Sequence, residues 1–280
     1  MPNKAFLEIT NACNLSCSFC HGTKRAIRYI NREEFEKAAK NLRSFADYLY
    51  FHLMGDPLLH PDLPEFFGIA GDLGFKVIIT TNGTLLKKRG EVLLAAEPLY
   101  KVSISLHAYE ANAMGVPLED YLSECFDFCK KASEKGIICV MRLWNIGGEE
   151  KRNEEILSMM HDAFPGEWKE IYSGYKMAEK VFLEWGERFE WPDANEEREY
   201  AGHTCYGLSD QIGVLCDGTV VPCCLDADGA VSLGNIFKEP LSDILEGERA
   251  KRMRKSLEKH APCEKLCKSC QYAASRYSKK

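Results

Sequence analysis

The sequence predicts an α/β protein, a partial and open (β/α)6 barrel followed by a smaller C-terminal domain. Strand-like and helix-like patterns alternate six times along the first two thirds of the 280-residue chain. Such alternation builds parallel strands that are joined by helical crossovers. Six units are fewer than the eight that close a full barrel, so the predicted barrel is open. A charged, aromatic stretch over 184–202 then interrupts the pattern, which divides the chain into domains 1–190 and 191–280.

The strands are recognised as short apolar runs, and the helices by apolar residues three or four positions apart. The predicted strands cover 5–10, 48–54, 75–81, 100–107, 136–144 and 179–185, and the predicted helices cover 31–45, 62–73, 84–96, 117–135 and 149–163. Asn31 stands before acidic residues and predicts the N-cap of the first helix. After the barrel, 211–224 contains two short strands around an Asp217-Gly218 turn, which predicts a hairpin. A further helix is predicted over 239–259.

Composition narrows the class of protein. With 45% hydrophobic residues, the chain supports a core that needs no disulfides. The formal charge of −6 argues against a broad nucleic-acid surface. The N-terminal stretch lacks the apolar region of a secretory signal, and no segment approaches the roughly 20 apolar residues of a membrane span. We therefore expect a cytoplasmic protein that binds neither nucleic acid nor membrane, in which the 13 cysteines serve metal binding or catalysis.

Three of these cysteines, Cys13, Cys17 and Cys20, lie in the loop directly after the first predicted strand. In a (β/α) barrel, chemistry sits at this C-terminal end of the strands. A [4Fe–4S] cluster has four irons, so three thiolates leave one iron without a protein ligand. An open metal position is typical of a reactive site, and a structural zinc, the main rival, would require a fourth nearby ligand. The loop therefore favours a reactive iron–sulfur cluster.

With this loop, the sequence resembles the radical S-adenosylmethionine (SAM) superfamily over most of its length. The spacing C-x3-C-x2-C after a first strand matches that family, and "MGDP" at 54–57 resembles its "GGEP" segment after strand two. Met54 in place of a glycine and Asp56 in place of a glutamate depart from that pattern. The stretches "ITTNGTLL" (79–86) and "VSISLH" (102–107) are similar to its third and fourth strands.

The resemblance implies both a chemistry and a set of contacts. SAM would chelate the open iron, and an electron from a flavodoxin or ferredoxin-type donor would produce a 5′-deoxyadenosyl radical that takes hydrogen from a substrate. The residues implied to bind this cofactor are Phe19 at the adenine, the backbone groups of Met54, Gly55 and Asp56 at the amino group, Asn82, Ser105 at the ribose and Arg142 at the carboxylate. An arginine within the apolar run "CVMRLW" also requires an anionic partner on physical grounds.

A second group of cysteines follows the barrel. Cys205, Cys223, Cys267 and Cys270, together with "GTVVPCCLDADGAVSLGNIF", resemble the twitch or SPASM domain, a module that holds auxiliary clusters. The resemblance implies one auxiliary [4Fe–4S] cluster that is fully ligated by these four thiolates. A zinc ribbon on the same thiolates is the alternative. Cys216, Cys224 and Cys263 are left over, and Cys263 is the residue most easily confused with an assigned ligand.

Substrate contacts are expected where strands end at the barrel mouth, and the candidates are His107, Tyr109 and Glu184. The first strand begins at residue 5, so we expect no N-terminal peptide-recognition domain. This favours a small-molecule substrate such as a sugar, a cyclitol or a modified nucleobase, with dehydrogenation, epimerisation or cleavage as the reaction. A lyase for a queuine-type deazapurine belongs to this class. The alternatives are an enzyme that modifies a ribosomal peptide and an iron–sulfur electron carrier.

Overall fold

The computed structural model describes residues 4–148 and 150–278, and within them eleven strands form one sheet. The spatial order is β11-β10-β9-β1-β2-β3-β4-β5-β8-β7-β6. The strands are β1 Lys4–Leu7, β2 Tyr48–Tyr50, β3 Lys76–Thr81, β4 Leu99–Ser105, β5 Ile138–Ile146, β6 Lys169–Ile171, β7 Gly174–Ala178, β8 Val181–Glu187, β9 Gln211–Val214, β10 Thr219–Val221 and β11 Gly234–Asn235.

Nine α-helices accompany the sheet within the same described residues. They are α1 Arg32–Leu42, α2 Leu63–Asp72, α3 Leu86–Leu94, α4 Leu118–Glu134, α5 Asn153–Ala163, α6 Leu241–Glu246, α7 Glu248–Glu258, α8 Lys265–Lys268 and α9 Gln271–Ser278. Asn31 caps α1 as predicted, through a capping box in which its side chain accepts from the N–H of Glu34. Among the helices of the described part of the chain, none combines the length and apolar character that a bilayer span requires.

The predicted fold class is confirmed. β1 to β5 and β8 are neighbours in the sheet and pair in parallel, with α1 to α5 as crossovers. This is the partial (β/α)6 barrel, and the sixth predicted strand at 179–185 corresponds to β8. The antiparallel strands β6 and β7, which precede β8 and end the sheet on that side, were not predicted.

The helix predicted over 239–259 is two helices. The break is at Gly247, whose backbone is extended (φ −63°, ψ 151°). Gly247 is both the C-cap of α6 and the N-cap of α7. The predicted hairpin is present as β9 and β10, which pair in antiparallel fashion. Gly218 in its turn has φ +85°, and a Cβ there would approach the Phe237 ring to 2.4 Å, so the turn requires glycine.

The barrel sheet has an apolar outer face and an inner face of mixed polarity. Side chains alternate between the faces of a strand. Outward residues such as Leu49, Ile79, Ile104, Met141 and Leu183 belong to the main hydrophobic core, to which helix residues also contribute. The inward positions of β4, β5 and β8 include polar and charged side chains, among them Ser103, Arg142 and Glu184. This placement makes the inner face the surface on which a ligand is recognised.

The C-terminal region continues the barrel sheet. β9 pairs in parallel with β1 on the side opposite β2, with Phe6 aligned to Gly213. The division at residue 190 therefore separates two parts of the chain that share one sheet, and the domain boundary stays a prediction.

A buried ion pair fixes this junction. Glu8 is fully buried, and its carboxylate contacts Arg25 in a bidentate pair with two N–O distances of 2.8 Å. The carboxylate also accepts from the backbone N–H groups of Met54 and Cys216. Arg25 further donates to the carbonyl of Ala227. Arg25 belongs to segment 9–31 of the long connection between β1 and α1, which also carries the first three cysteines and which we call the cysteine loop. The pair thus joins β1, the cysteine loop, the segment after β2 and the turn region after β9.

We predict that Arg25→Leu lowers the free energy of unfolding by about 3–5 kcal/mol, because it leaves the Glu8 carboxylate buried without its counter-charge. Urea denaturation under anaerobic conditions measures the change. The double variant Glu8→Leu/Arg25→Leu should recover most of the loss, since it removes both charges. Lys40→Ala, which removes an exposed pair with Glu36, should cost far less, because solvent screens that pair. An Arg25→Leu effect as small as that of Lys40→Ala would contradict the prediction.

Candidate active site

The cysteine loop follows β1 and presents three thiols from one short stretch. Cys13 and Cys20 are exposed and Cys17 is half-buried. The N–H of Cys20 donates to the carbonyl of Cys17 at 3.0 Å, which closes a tight turn. Burial raises the pKa of the Cys17 thiol, and the charges of Cys20 and Cys13 raise it further. Three thiols that affect one another on an accessible loop fit the ligand set of a cluster with one open iron.

Two asparagines from neighbouring loops face these thiols, and the sequence did not point to one of them. The amide nitrogen of Asn112, in the loop after β4, lies 3.1 Å from the sulfur of Cys17, and its oxygen accepts from the N–H of Ser16. The amide nitrogen of Asn82, after β3, lies 3.9 Å from the sulfur of Cys13. Asn82 is among the residues predicted at the cofactor. Asn112 is not, because its loop has the composition of an ordinary polar connection and carries no motif.

The segment after β2 lies directly against the base of the cysteine loop. Gly55 has φ +76°, and a Cβ at this position would lie 2.5 Å from the carbonyl oxygen of Thr10. The N–H of Asp56 donates to the carbonyl of Ala12 at 2.8 Å. Only glycine permits this approach, so the "MGDP" segment is held beside the three thiols by backbone contacts.

Two residues of the segment predicted at the cofactor make contacts within the protein. The Asp56 carboxylate is buried and accepts from the hydroxyl of Thr81 at 2.7 Å and from the N–H groups of Asn82 and Leu58. It therefore positions the end of β3 rather than presenting itself to a ligand. Met54 is buried and donates its N–H to Glu8. The resemblance assigns the SAM amino group to backbone groups of this segment, and that contact stays a prediction.

His107 and Phe19 pack on each other, with ring centroids 4.6 Å apart. The Nδ1 of His107 lies 3.0 Å from the carbonyl oxygen of Arg142. Burial, followed by the charge of Arg142, lowers the pKa of His107 to about 4, so the ring is neutral at physiological pH. These contacts tie the cysteine loop to β5.

Tyr109 is directed elsewhere. Its hydroxyl donates to the carbonyl of Val116 at 2.9 Å, and its ring packs 5.4 Å from that of Tyr121. The contacts place Tyr109 in the loop before α4. The prediction that it meets a substrate has no support from these contacts.

Ser105, Arg142 and Glu184 form a row across the inner face. Ser105 of β4 aligns with Arg142 of β5, which aligns with Glu184 of β8. The Nε of Arg142 lies 3.6 Å from a Glu184 carboxylate oxygen, and its guanidinium lies 4.6 Å from the centroid of the Trp144 ring. Burial lowers the pKa of Arg142, and the charge of Glu184 offsets part of that effect. Arg142, predicted at the SAM carboxylate, and Glu184, predicted at the substrate, are therefore in contact with each other.

Five buried polar atoms on or beside this row have no hydrogen-bond partner among the described residues. They are His52 Nδ1, Thr80 Oγ1, Ser103 Oγ, Arg142 Nε and Trp144 Nε1. Thr80 aligns with Ser103, and Ser103 lies two positions before Ser105, so these side chains share the inner face. Buried polar groups in native proteins are nearly always paired, and a cluster of unpaired ones marks a place for a ligand or water.

The second group of cysteines meets at one cavity. Cys205, Cys223, Cys267 and Cys270 line a small cavity together with apolar residues that include Leu257 and Leu266. Burial raises the pKa of the Cys223 thiol, and the charges of Cys224, Cys205 and Cys267 raise it further. Four thiols that line one cavity with apolar walls fit a closed auxiliary cluster. Across the described residues, no three His, Cys, Asp or Glu side chains converge on a single-ion metal site.

The three remaining cysteines of this region lie outside that lining. Cys216 is buried beside Arg25, whose guanidinium lies 3.6 Å from its sulfur. Cys263 is exposed. Cys224 packs with Phe6 and Tyr50 in a small apolar cluster toward the barrel interior.

Family models match both parts of the chain. The model described as the radical SAM superfamily matches residues 7–160, and the model described as an iron–sulfur cluster-binding domain, SPASM, matches residues 205–271. These matches agree with the two sites described above.

Curated relatives differ in what they are named for. Fe-coproporphyrin III synthase of Methanosarcina barkeri is 32% identical over 102 residues, which are 35% of this chain and 26% of that protein. A probable GTP 3′,8-cyclase of Methanococcus vannielii is 24% identical over 265 residues, 81% of this chain and 86% of the cyclase. The subtilosin biosynthesis protein AlbA of Bacillus subtilis is 30% identical over 129 residues, 45% of this chain and 26% of AlbA. The chain therefore matches about a quarter of the length of two of these relatives.

Solved structures show the same fold. BtrN in complex with AdoMet and 2-DOIA superposes with a TM-score of 0.63 at 21% identity, covering 97% of this chain and 93% of BtrN. SuiB of Streptococcus suis bound to S-adenosylmethionine superposes with a TM-score of 0.64 at 17% identity, covering 97% of this chain and 73% of SuiB. At these identities the similarity establishes architecture.

We predict that Asn112→Ala makes the reduction potential of the cluster on the cysteine loop more negative. An N–H donor to a ligating sulfur stabilises the more negative, reduced cluster, and hydrogen bonds to sulfur are among the determinants of cluster potential. A potentiometric titration followed by electron paramagnetic resonance measures the change. Asn82→Ala should shift the potential less, because its amide lies farther from the sulfur. Equal potentials in Asn112→Ala and wild type would contradict the prediction.

Proposed function

Because this chain belongs to the radical SAM superfamily, we propose that it uses SAM to remove a hydrogen atom from a small polar molecule bound on the inner face of its barrel. The superfamily makes the protein an enzyme that needs a SAM-binding [4Fe–4S] cluster, SAM and an electron donor, and the SPASM match adds auxiliary iron–sulfur binding. The substrate, the reaction outcome and the number of auxiliary clusters are proposals.

We assign Cys13, Cys17 and Cys20 to the SAM-binding cluster. When bound, this cluster and SAM supply the 5′-deoxyadenosyl radical. The chain contributes the position of the loop: Gly55 brings the segment after β2 against it, and Asn112 holds Cys17. Phe19, Asn82 and Ser105 remain the proposed neighbours of SAM. Cys205, Cys223, Cys267 and Cys270 are proposed to hold one auxiliary cluster, because they line a single cavity.

The unpaired polar atoms of the inner face carry the substrate proposal. His52, Thr80, Ser103, Arg142 and Trp144 each leave a buried polar atom without a hydrogen-bond partner, although Arg142 also forms an ion pair with Glu184. Leaving such groups unpaired costs free energy that a bound ligand recovers. A compact set of fixed polar groups among apolar walls is typical of a small-molecule site.

The charges of the inner face indicate the substrate's character. Lys101 and Arg142 both face this surface, and Glu184 is the carboxylate that affects the pKa of each. A ligand with an anionic or acceptor-rich group would balance the excess positive charge. Glu184 supplies the negative charge beside Arg142, and the neutral side chains of Tyr50, Tyr272 and Cys224 lie in the same neighbourhood. We propose that a substrate group, rather than the SAM carboxylate that the resemblance implies, is the further partner of Arg142.

Glu184 is the candidate proton acceptor for a dehydrogenation or epimerisation. Its carboxylate lies on the inner face beside Arg142. His107 is proposed to position β5 and the cysteine loop, because its ring nitrogen contacts the β5 backbone and its ring contacts Phe19. Sugars, cyclitols and modified nucleobases, including a queuine-type base cleaved by a lyase, present the acceptor atoms that this face lacks.

A ribosomal peptide is the second candidate substrate. The similarity to AlbA favours it, and so does β6, a short exposed strand at the end of the sheet to which an extended chain could pair. The unpaired atoms lie on the inner face rather than along that edge, so we place the small molecule first.

We expect Cys13→Ala, Cys17→Ala and Cys20→Ala each to abolish formation of 5′-deoxyadenosine from SAM with dithionite as reductant. Reconstituted wild type should contain about eight irons per chain from two cubanes, and the triple variant about four. Iron analysis and chromatography of the products give both readouts. Cys125→Ala, which changes a buried core cysteine of α4, should keep both properties. Wild-type rates in any single variant would sink the assignment, and about twelve irons would indicate a second auxiliary cluster.

Arg142→Gln tests the inner-face proposal. If Arg142 serves the substrate, the variant should bind SAM within about threefold of wild type and still cleave it slowly. Substrate-dependent turnover should fall by roughly 30-fold or more, since a charge-assisted hydrogen bond is worth about 2 kcal/mol. Equilibrium dialysis with labelled SAM separates the outcomes, with Arg152→Gln as an exposed control. A large loss of SAM affinity would assign Arg142 to the SAM carboxylate.

A further inference from the structure

A basic surface covers the second cysteine group. Residues 246–268 carry eight basic and four acidic side chains in a chain whose formal charge is −6. The exposed members of α7 and the segment that follows it are Lys251, Arg252, Lys255, Lys259 and Lys265, which we call the basic face. Positive charge is thus concentrated at one place on an otherwise acidic protein.

Ion pairs do not neutralise this face. Glu264 contacts both Arg249 and Arg252, with N–O distances of 2.8 and 3.2 Å. Glu246 contacts both Lys251 and Arg254, at 3.3 and 3.5 Å. Since each carboxylate is shared by two cations, an excess of positive charge remains for a partner.

The buried side of the same elements lines the thiol cavity. Leu257 of α7 and Leu266 of α8 both contact the cavity formed by Cys205, Cys223, Cys267 and Cys270. Lys255 and Lys259 are two positions to either side of Leu257 and point outward. The basic face is therefore the outer surface of the wall that separates this cavity from solvent.

We propose that the basic face is the docking surface for a small acidic electron-transfer protein of the flavodoxin class, which delivers electrons through the auxiliary cluster. The inference rests on the proposed function, in which the four thiolates hold that cluster. Electron transfer weakens steeply with distance, so a donor must dock over a thin wall. Complementary charge steers such encounters and fixes their orientation.

The proposed step moves one electron and no atoms. The reduced flavin hydroquinone of the donor is oxidised to the semiquinone, and the auxiliary cluster is reduced by one electron. The donor flavin is the reductant in this exchange and the cluster is the electron acceptor.

The experiment uses reconstituted holoenzyme and a reduced flavodoxin. Calorimetry measures the affinity of the holoenzyme for the oxidised flavodoxin. Stopped-flow absorbance measures oxidation of the flavodoxin hydroquinone by the holoenzyme. In Lys255→Glu/Lys259→Glu we expect the Kd to rise by roughly tenfold or more and the salt dependence of association to fall. The matched control is Lys131→Glu/Lys135→Glu, which reverses two exposed lysines at the same spacing at the end of α4. The control should bind and accept electrons as wild type does.

Dithionite separates this proposal from the proposed function, because a small reductant needs no docking surface. It should support equal formation of 5′-deoxyadenosine in wild type and both double variants. If wild type forms none with dithionite, the proposed function fails. If dithionite works in all three but flavodoxin binds all three alike, or binds none, the docking proposal is overturned. A basic face that retains an RNA oligonucleotide and not the flavodoxin also overturns it.

Discussion

The buried pair between Glu8 and Arg25 is the interaction on which the arrangement of the site depends. One carboxylate at the end of β1 receives a bidentate guanidinium and the N–H groups of Met54 and Cys216. The cysteine loop, the segment after β2 and the turn after β9 therefore all bind to one fully buried carboxylate, that of Glu8. A charge in that position is tolerated only when it is completely paired, so the three segments keep their relative positions.

The two faces of the sheet have different roles, because the outward face packs in the core and the inward face is the proposed binding surface. Its outward side chains are apolar and pack in the main core, whereas its inward side chains include Arg142, Glu184 and several polar groups without partners. Unpaired groups lower stability, and a large outer core offsets that cost. The inner face is thus available for a ligand because the outer face carries the packing.

The proposed auxiliary site and the proposed donor surface lie together in the C-terminal region. Four thiols that are separated by up to 65 positions line one cavity, and the helices over it are apolar inside and basic outside. One amphipathic wall thereby shields the proposed cluster and presents charge to a partner. The polarity of α7 and α8 connects burial of the thiols with recognition at the surface.

The sequence by itself determined the fold class and the cysteine loop. Alternating strand and helix patterns specify parallel strands. Three thiols within eight residues lie close together whatever the fold, since so short a loop cannot separate them. Only the tertiary structure decided contacts between distant segments: the turn of Asp56 toward the end of β3, the Tyr109 hydroxyl bonded within its own loop, and Asn112 at the Cys17 sulfur. Those contacts depend on where loops from different strands meet at the barrel mouth, and neither spacing nor periodicity within one segment encodes that meeting.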